Sequence, residues 1–268
     1  MDKYFSRKMF HFTERVGMFL PEDTLSIIKH RYLFAESFSK DKEVLEVGVG
    51  QGFGIQSIGN SAKKYTGLEY SQENIDLLVN SENKYPVFHG DAHNMPFHKD
   101  EFEVITALAM IYYLDFQKFI DEVSRVLNSN GLLLFCTSNK NVPGFVPSPH
   151  TTQYYSILEL KNILQENGFE CKFYGSFERF NRFEYLQKIK AFIKNLLKKI
   201  IFLIPFGDSL WAILRQKSSG KIVKLPFLLD NINLEGKWRE NFFKLPDDKI
   251  NSKYRIVYCV AKLTNHKK

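Results

Sequence analysis

From about residue 24 to residue 177 the chain alternates short apolar runs with stretches of helical rhythm, and this limits it to few architectures. VLEVGV (44–49), YTGLEY (65–70), VFHGD (87–91), FEVITALAM (102–110) and LLLFCTS (132–138) read as strands. Helices are predicted over 24–39, 54–63, 71–82 with Ser71 as N-cap, 116–127, and 157–168 ending at Gly168. Strands that are apolar almost throughout must be covered on both faces, which a parallel sheet between two helix layers provides. FECKFYGSF (169–177) and YRIVYCVAKL (254–263) alternate instead, and residues 178–253 separate them. The expectation is therefore an α/β fold: a doubly wound, seven-stranded, mostly parallel sheet. An antiparallel strand pairs at its edge, and a helical cap insertion interrupts that pair.

Behind the first of these strands Gly48, Gly50, Gly52 and Gly54 occupy every second position. In an open α/β sheet the ligand lies beyond the C-terminal strand ends, where a glycine-rich turn lets the backbone come close. The spacing is not G-x-G-x-x-G, since position 53 is Phe, and Glu46 inside the strand has no role toward a pyrophosphate. A dinucleotide is therefore the weaker reading.

VLEVGVGQG resembles motif I of the class I S-adenosylmethionine-dependent methyltransferases, type 11-like, in its acidic-x-Gly-x-Gly-x-Gly form. The resemblance implies a Rossmann-like methyltransferase fold with S-adenosyl-L-methionine as cofactor. By it, Glu46, Gly48, Val49, Gly50 and Gly52 belong beside the methionine end of that cofactor. GLEYS ends the second strand with Glu69, matching the carboxylate that accepts the ribose hydroxyls, with Tyr70 beside it. GDAHNMPF ends the third and is similar to the family's GDA-x-x-x-PF. That likeness gives Asp91 and Ala92 the adenine, with His93 beside it and Leu108 on the fourth strand bounding the pocket. Taken singly, Glu69 reads equally as a solvated strand end and Asp91 as a turn cap.

Methyl transfer needs an aligned nucleophile, and a base if an O–H is attacked. Many relatives carry a His after the fourth strand. This chain has AMIYYL, which places Tyr112 and Tyr113 there as pocket walls, substrate contacts or core. His150, in the loop after the fifth strand, is the candidate base, and SPHTTQYYSILEL resembles a segment of methyltransferases of surface-polysaccharide biosynthesis. ERVGMFLPEDTLSIIKHRYLFAESF is similar to the lead segment of the same group, which covers the cofactor; Arg15, His30, Arg31 and Tyr32 carry that likeness. Residues 1–40 are thus expected to form an N-terminal lid segment, 41–177 plus 254–268 the methyltransferase domain, and 178–253 the inserted cap. The resemblance implies an enzyme transferring methyl groups to a small-molecule or glycan acceptor, foremost O-methylation of a sugar in cell-surface polysaccharide or lipid-linked glycan synthesis. Another small metabolite, RNA, or a non-catalytic binding subunit are the alternatives.

The net charge of +7 favours anionic partners without choosing among them. No segment reads as a nucleic-acid-binding module, so nucleic acid is the less favoured partner. In 184–206 Leu186, Ile189, Ile193, Leu197 and Ile200 recur at helical spacing, with Lys188, Lys194, Lys198 and Lys199 largely elsewhere. Such a basic helix either packs on the domain or lies on an anionic membrane. Cys136, Cys171 and Cys259 form no CxxC pair, so neither a disulfide framework nor a metal site is expected. The N-terminus lacks the apolar core of a signal peptide, and a cytoplasmic location, with peripheral contact at the inner membrane face, is expected.

Overall fold

The computed structural model describes residues 14–81, 83–148, 151–178, 222–226, 229 and 241–264. His11, His150 and the basic segment 184–206 lie outside the described residues.

The first elements are β1 (Phe19–Pro21), α1 (Glu22–Ser39), β2 (Glu43–Val47), α2 (Ile55–Ser61), β3 (Lys64–Glu69), α3 (Gln72–Val79) and β4 (Val87–His89). Then come β5 (Phe102–Leu108), a 3₁₀ turn over Ile111–Tyr113, α4 (Phe116–Val126), β6 (Leu127–Ser138), α5 (Ile157–Glu166) and β7 (Phe169–Glu178). The last are β8 (Ile222–Lys224), β9 (Phe243–Leu245) and β10 (Tyr254–Leu263). Eight strands form one sheet in the order β4-β3-β2-β5-β6-β10-β7-β9. The five from β4 to β6 run parallel, and β10 is antiparallel to both β6 and β7.

Side chains alternate across each strand, so the sheet has two apolar faces. On one, Leu45, Ile105, Leu133 and Phe135 pack with Phe116, Phe119, Ile120 and Val123 of α4 and Leu160 and Leu164 of α5. On the other, Val44, Val104, Leu134 and Tyr258 meet Leu25, Ile28, Tyr32 and Ala35 of α1, with Ile55 and Ile58 of α2. This is the doubly wound arrangement. Each such Val, Leu, Ile or Phe side chain, taken from water, contributes roughly 1.5–3 kcal/mol before entropy is counted. Side-chain caps fix three helix starts: Ser71 accepts from Asn74 N, Asp115 from Lys118 N, and Ser156 forms a capping box with Glu159.

One expectation changes. The sheet has eight strands rather than seven, because β9 pairs with β7 at the edge. Its three residues bury only Leu245, too little for a periodic signal. The expected antiparallel pair, β7 with β10, forms on that side of the sheet, with β10 seated between β6 and β7. The described part of the insertion is extended: β8 pairs with β1 in a two-stranded ribbon, and β9 joins the main sheet.

Candidate functional site

Strand order reverses at β2, whose neighbours are β3 on one side and β5 on the other. A crevice therefore opens above its C-terminal end. There the structure has a cavity of about 360 Å³, within the size range of small-ligand sites. Its wall includes Gly48, Val49, Gly50, Glu69, Tyr70, Asp91, Ala92, His93, Leu108, Tyr112 and Tyr113, all named from the sequence. Glu14, Arg31, Tyr32, Gln51, Asn74 and Met110 also line it.

Gly50 sits at φ +60°, and a Cβ there would meet nothing within 4 Å, so the missing side chain leaves the cavity open. Its N–H donates to Glu69 Oε2 at 2.8 Å, while Ser71 N and Asn74 Nδ2 donate to Oε1 at 2.8 and 3.2 Å. Three donors thus fix a 7% exposed carboxylate against the cavity. Gly54 serves a neighbour instead: a Cβ would lie 2.1 Å from the Tyr32 ring, which packs over the loop.

Beyond β4, Asp91 Oδ1 accepts from His93 N and Nδ1, both at 2.9 Å. His93 Nε2 accepts the Asp115 N–H at 3.1 Å, so it is unprotonated and the ring's proton sits on Nδ1. His93 therefore ties Asp91 to the start of α4.

Two residues assigned to the cofactor lie outside the wall. Glu46 is 2% exposed beneath the glycine loop and accepts the Tyr65 hydroxyl at 2.6 Å. Burial pushes its carboxyl up to about 7, against the Tyr65 bond and Arg31. Gly52 faces Leu78 and Ile55. Both support the loop from behind. Tyr112 and Tyr113 do line the cavity, but as walls: Tyr112 packs against Tyr113 and Tyr154 with centroids 4.7 and 4.9 Å apart. Removal from water raises both phenols, Tyr113 to about 12, so neither is a base near neutral pH. His30 points away from the cavity, toward Tyr258 Oη at 2.8 Å.

A second cavity, about 610 Å³, lies beyond the ends of β6, β7 and β10 and shares Glu14, Arg31, Ala109 and Tyr112 with the first. Thr24, Thr137, Ser138 and Asn139 give it hydroxyl and amide groups; Ile27, Val142, Pro143, Phe145, Val146 and Ile256 give it an apolar wall. Ala109, where the cavities meet, holds a left-handed φ of 56°, an uncommon conformation for a residue with a side chain.

Residues 45–135 match the methyltransferase domain family. A protein of Mycolicibacterium smegmatis described as a probable S-adenosylmethionine-dependent methyltransferase is 28% identical over 138 residues, 49% of this chain and 53% of that one. The phthiotriol/phenolphthiotriol dimycocerosates methyltransferase 1 of Mycobacterium ulcerans is 34% identical over 99 residues, 35% of this chain and 36% of its own. The matched stretch thus spans about half, or less, of these curated relatives. Among solved structures, a SAM-dependent methyltransferase of Thermotoga maritima superposes with a TM-score of 0.56 at 13% identity, over 90% of this chain and 92% of its own. The fold is the Rossmann-like methyltransferase fold. Domain match and fold together imply S-adenosyl-L-methionine as the cofactor.

The residues present fit that group. Asp91 and the Ala92 backbone, after β4, would hold an adenine, and the fixed Glu69 carboxylate, at the end of neighbouring β3, would take vicinal hydroxyls. The bare Gly48 and Gly50 backbone, after β2, would lie beside the rest of the molecule, and the Arg31 guanidinium could meet a carboxylate. Arg31 and Glu14 are what the sequence reading left without a role. Both fall inside the quoted lead segment, Arg31 among the residues that carry its likeness.

Proposed function

We propose that the chain is an S-adenosylmethionine-dependent methyltransferase acting on a small-molecule or glycan acceptor. The observation that carries this is the succession of Asp91, Glu69 and the Gly50 backbone along one cavity wall, at the ends of successive parallel strands. The cofactor supplies an electrophilic methyl; the chain holds it, excludes water and aligns an acceptor in the adjoining cavity.

The finer reading is O-methylation of a sugar in cell-surface polysaccharide or lipid-linked glycan synthesis. It is supported by the polysaccharide-type lead and loop segments and by the hydroxyl- and amide-bearing groups of the second cavity beside an apolar wall. Calorimetry with S-adenosylmethionine and S-adenosylhomocysteine tests the first step: binding of neither removes the enzyme reading and leaves a scaffold. Methyl-labelled S-adenosylmethionine offered with nucleotide sugars, lipid-linked glycans, RNA and small phenols tests the second. Label found only in RNA or phenols sinks the glycan reading.

Peripheral membrane contact through 184–206 belongs to the same proposal. Its support is the lysine pattern, together with exposed Phe19 on β1, the partner of β8, and exposed Met18 just before it. Among the described residues no helix is long and apolar enough to cross a membrane. Co-sedimentation with anionic vesicles should drop when Lys188, Lys194, Lys198 and Lys199 are changed to Glu; equal, negligible binding by both proteins removes the idea.

A further inference from the structure

We propose that Arg31 forms a carboxylate site that Glu14 of the same chain fills, and that the carboxylate of an α-amino-acid group displaces Glu14 on binding. The proposal rests on the cofactor reading above, because S-adenosylmethionine ends in such a group.

Arg31 is 6% exposed, and both of its terminal nitrogens are engaged by Glu14: Nη1 donates to Oε1 at 3.3 Å and Nη2 to Oε2. Its Nε has no hydrogen-bond partner among the described residues. A guanidinium this buried requires an anion, since a buried charge without a counter-charge is strongly unfavourable. Glu14 is that anion, and the two members of the pair are held very differently. The Arg31 side chain is 7% accessible and rises from the middle of α1, whereas the Glu14 side chain is 32% accessible.

The segment carrying Glu14 is anchored just after it. Val16 N donates to Gln51 Oε1 at 2.8 Å, Gly17 N to Leu225 O at 2.7 Å, and Leu225 N to Met18 O at 2.8 Å. Glu14 can therefore swing while residues 16–18 stay on the glycine loop and the β8 ribbon. Both residues line both cavities, so the released position faces ligand rather than protein. A ligand laid along Asp91, Glu69 and the Gly50 backbone has its remaining end at Arg31. The guanidinium fork matches a carboxylate with two parallel bonds, which is the geometry Glu14 imitates.

The test compares two ligands of the intact protein by calorimetry: S-adenosylhomocysteine, and 5′-methylthioadenosine, which keeps adenine, ribose and thioether but has no amino-acid end. Glu14→Gln removes the competing charge. It should tighten S-adenosylhomocysteine binding by about tenfold and leave 5′-methylthioadenosine within about twofold of wild type. Arg31→Lys and Arg31→Gln should weaken S-adenosylhomocysteine selectively, and Glu14→Gln should then add nothing in the Arg31→Gln background. Unchanged 5′-methylthioadenosine binding shows that each variant is folded. Weaker S-adenosylhomocysteine binding by Glu14→Gln would make Glu14 a contact of the ammonium and overturn the exchange; equal binding overturns it too. Failure of both ligands to bind the wild-type protein overturns the cofactor reading itself.

Discussion

The two cavities meet at Arg31 and Ala109 but are made of different material. The first is largely main chain and strand ends: Gly48, Gly50 and Ala92, with Glu69 locked by three donors. Most of its polar groups fall within residues 48–93. The second is assembled from side chains far apart in sequence, on α1, the β5 and β6 ends, the loop through Val146, Glu178 and Arg255. Two of its charges are paired with residues outside its wall, Arg255 Nη1 3.0 Å from Asp23 Oδ2 and Glu178 Oε1 3.2 Å from Lys253 Nζ. One region is built to hold a fixed ligand with backbone; the other can change with its loops. Under the proposed function, a cofactor common to many enzymes would use the former and an acceptor particular to one the latter.

The sharpest way to break this contrast is Gly50→Val. A branched side chain at φ +60° is strained by roughly 1–3 kcal/mol, and its atoms enter the first cavity. S-adenosylhomocysteine affinity should fall by about 100-fold or more in calorimetry, while circular dichroism stays native; near wild-type affinity would mean that the cofactor does not lie against this backbone.

Each region also hides one buried titratable group, and the two act in opposite directions. Glu46, beneath the first cavity, has its carboxyl raised to about 7 by burial. Its unfolded form ionises near 4.5, so it withdraws stability as pH rises from there toward 7. His30, behind the second, lies among Phe177, Phe242 and Tyr258, and burial lowers it to about 4 from 6.5. Unfolded His30 takes up a proton first, so stability is full above pH 6.5 and lost as pH falls toward 4. Each shift corresponds to about 3 kcal/mol, and in wild type they largely offset. Urea melts across pH 4.5–7 should show Glu46→Gln gaining stability with rising pH relative to wild type. His30→Gln should lose it relative to wild type. Parallel profiles for all three proteins would refute the opposition.

Glu69→Gln keeps an acceptor for Gly50 N but removes the charge. Affinity for S-adenosylhomocysteine should drop by about tenfold, an effect of one charge-assisted hydrogen bond. An equal loss in the 2′,3′-dideoxy analogue would separate that role from ribose recognition. The smallest expected change tests the second cavity: Val146→Trp should narrow it yet leave S-adenosylhomocysteine affinity within about twofold. A larger loss would show that the cavities are one site.

Much of the first region is readable without coordinates. Asp91 and Glu69 stand at the ends of strands whose apolar runs are unmistakable, and the glycines mark where backbone replaces side chains. Glu46 reads from the sequence as part of the cofactor site, while only the structure shows that its place before the strand end turns it under the loop to Tyr65. The edge strand β9 was hidden because three residues carry no period. Glu14 was hidden because its meaning depends on a partner 17 residues away.

Local pattern therefore determined the layers, the mostly parallel sheet and the glycine-rich wall of the first cavity, since apolar periodicity and glycine placement act through neighbouring residues. Only the tertiary structure decided that β10 enters between β6 and β7, that Glu14 meets Arg31, and that a second cavity adjoins the first. Those features come from distant segments meeting, and burial and charge are properties of the meeting rather than of either segment.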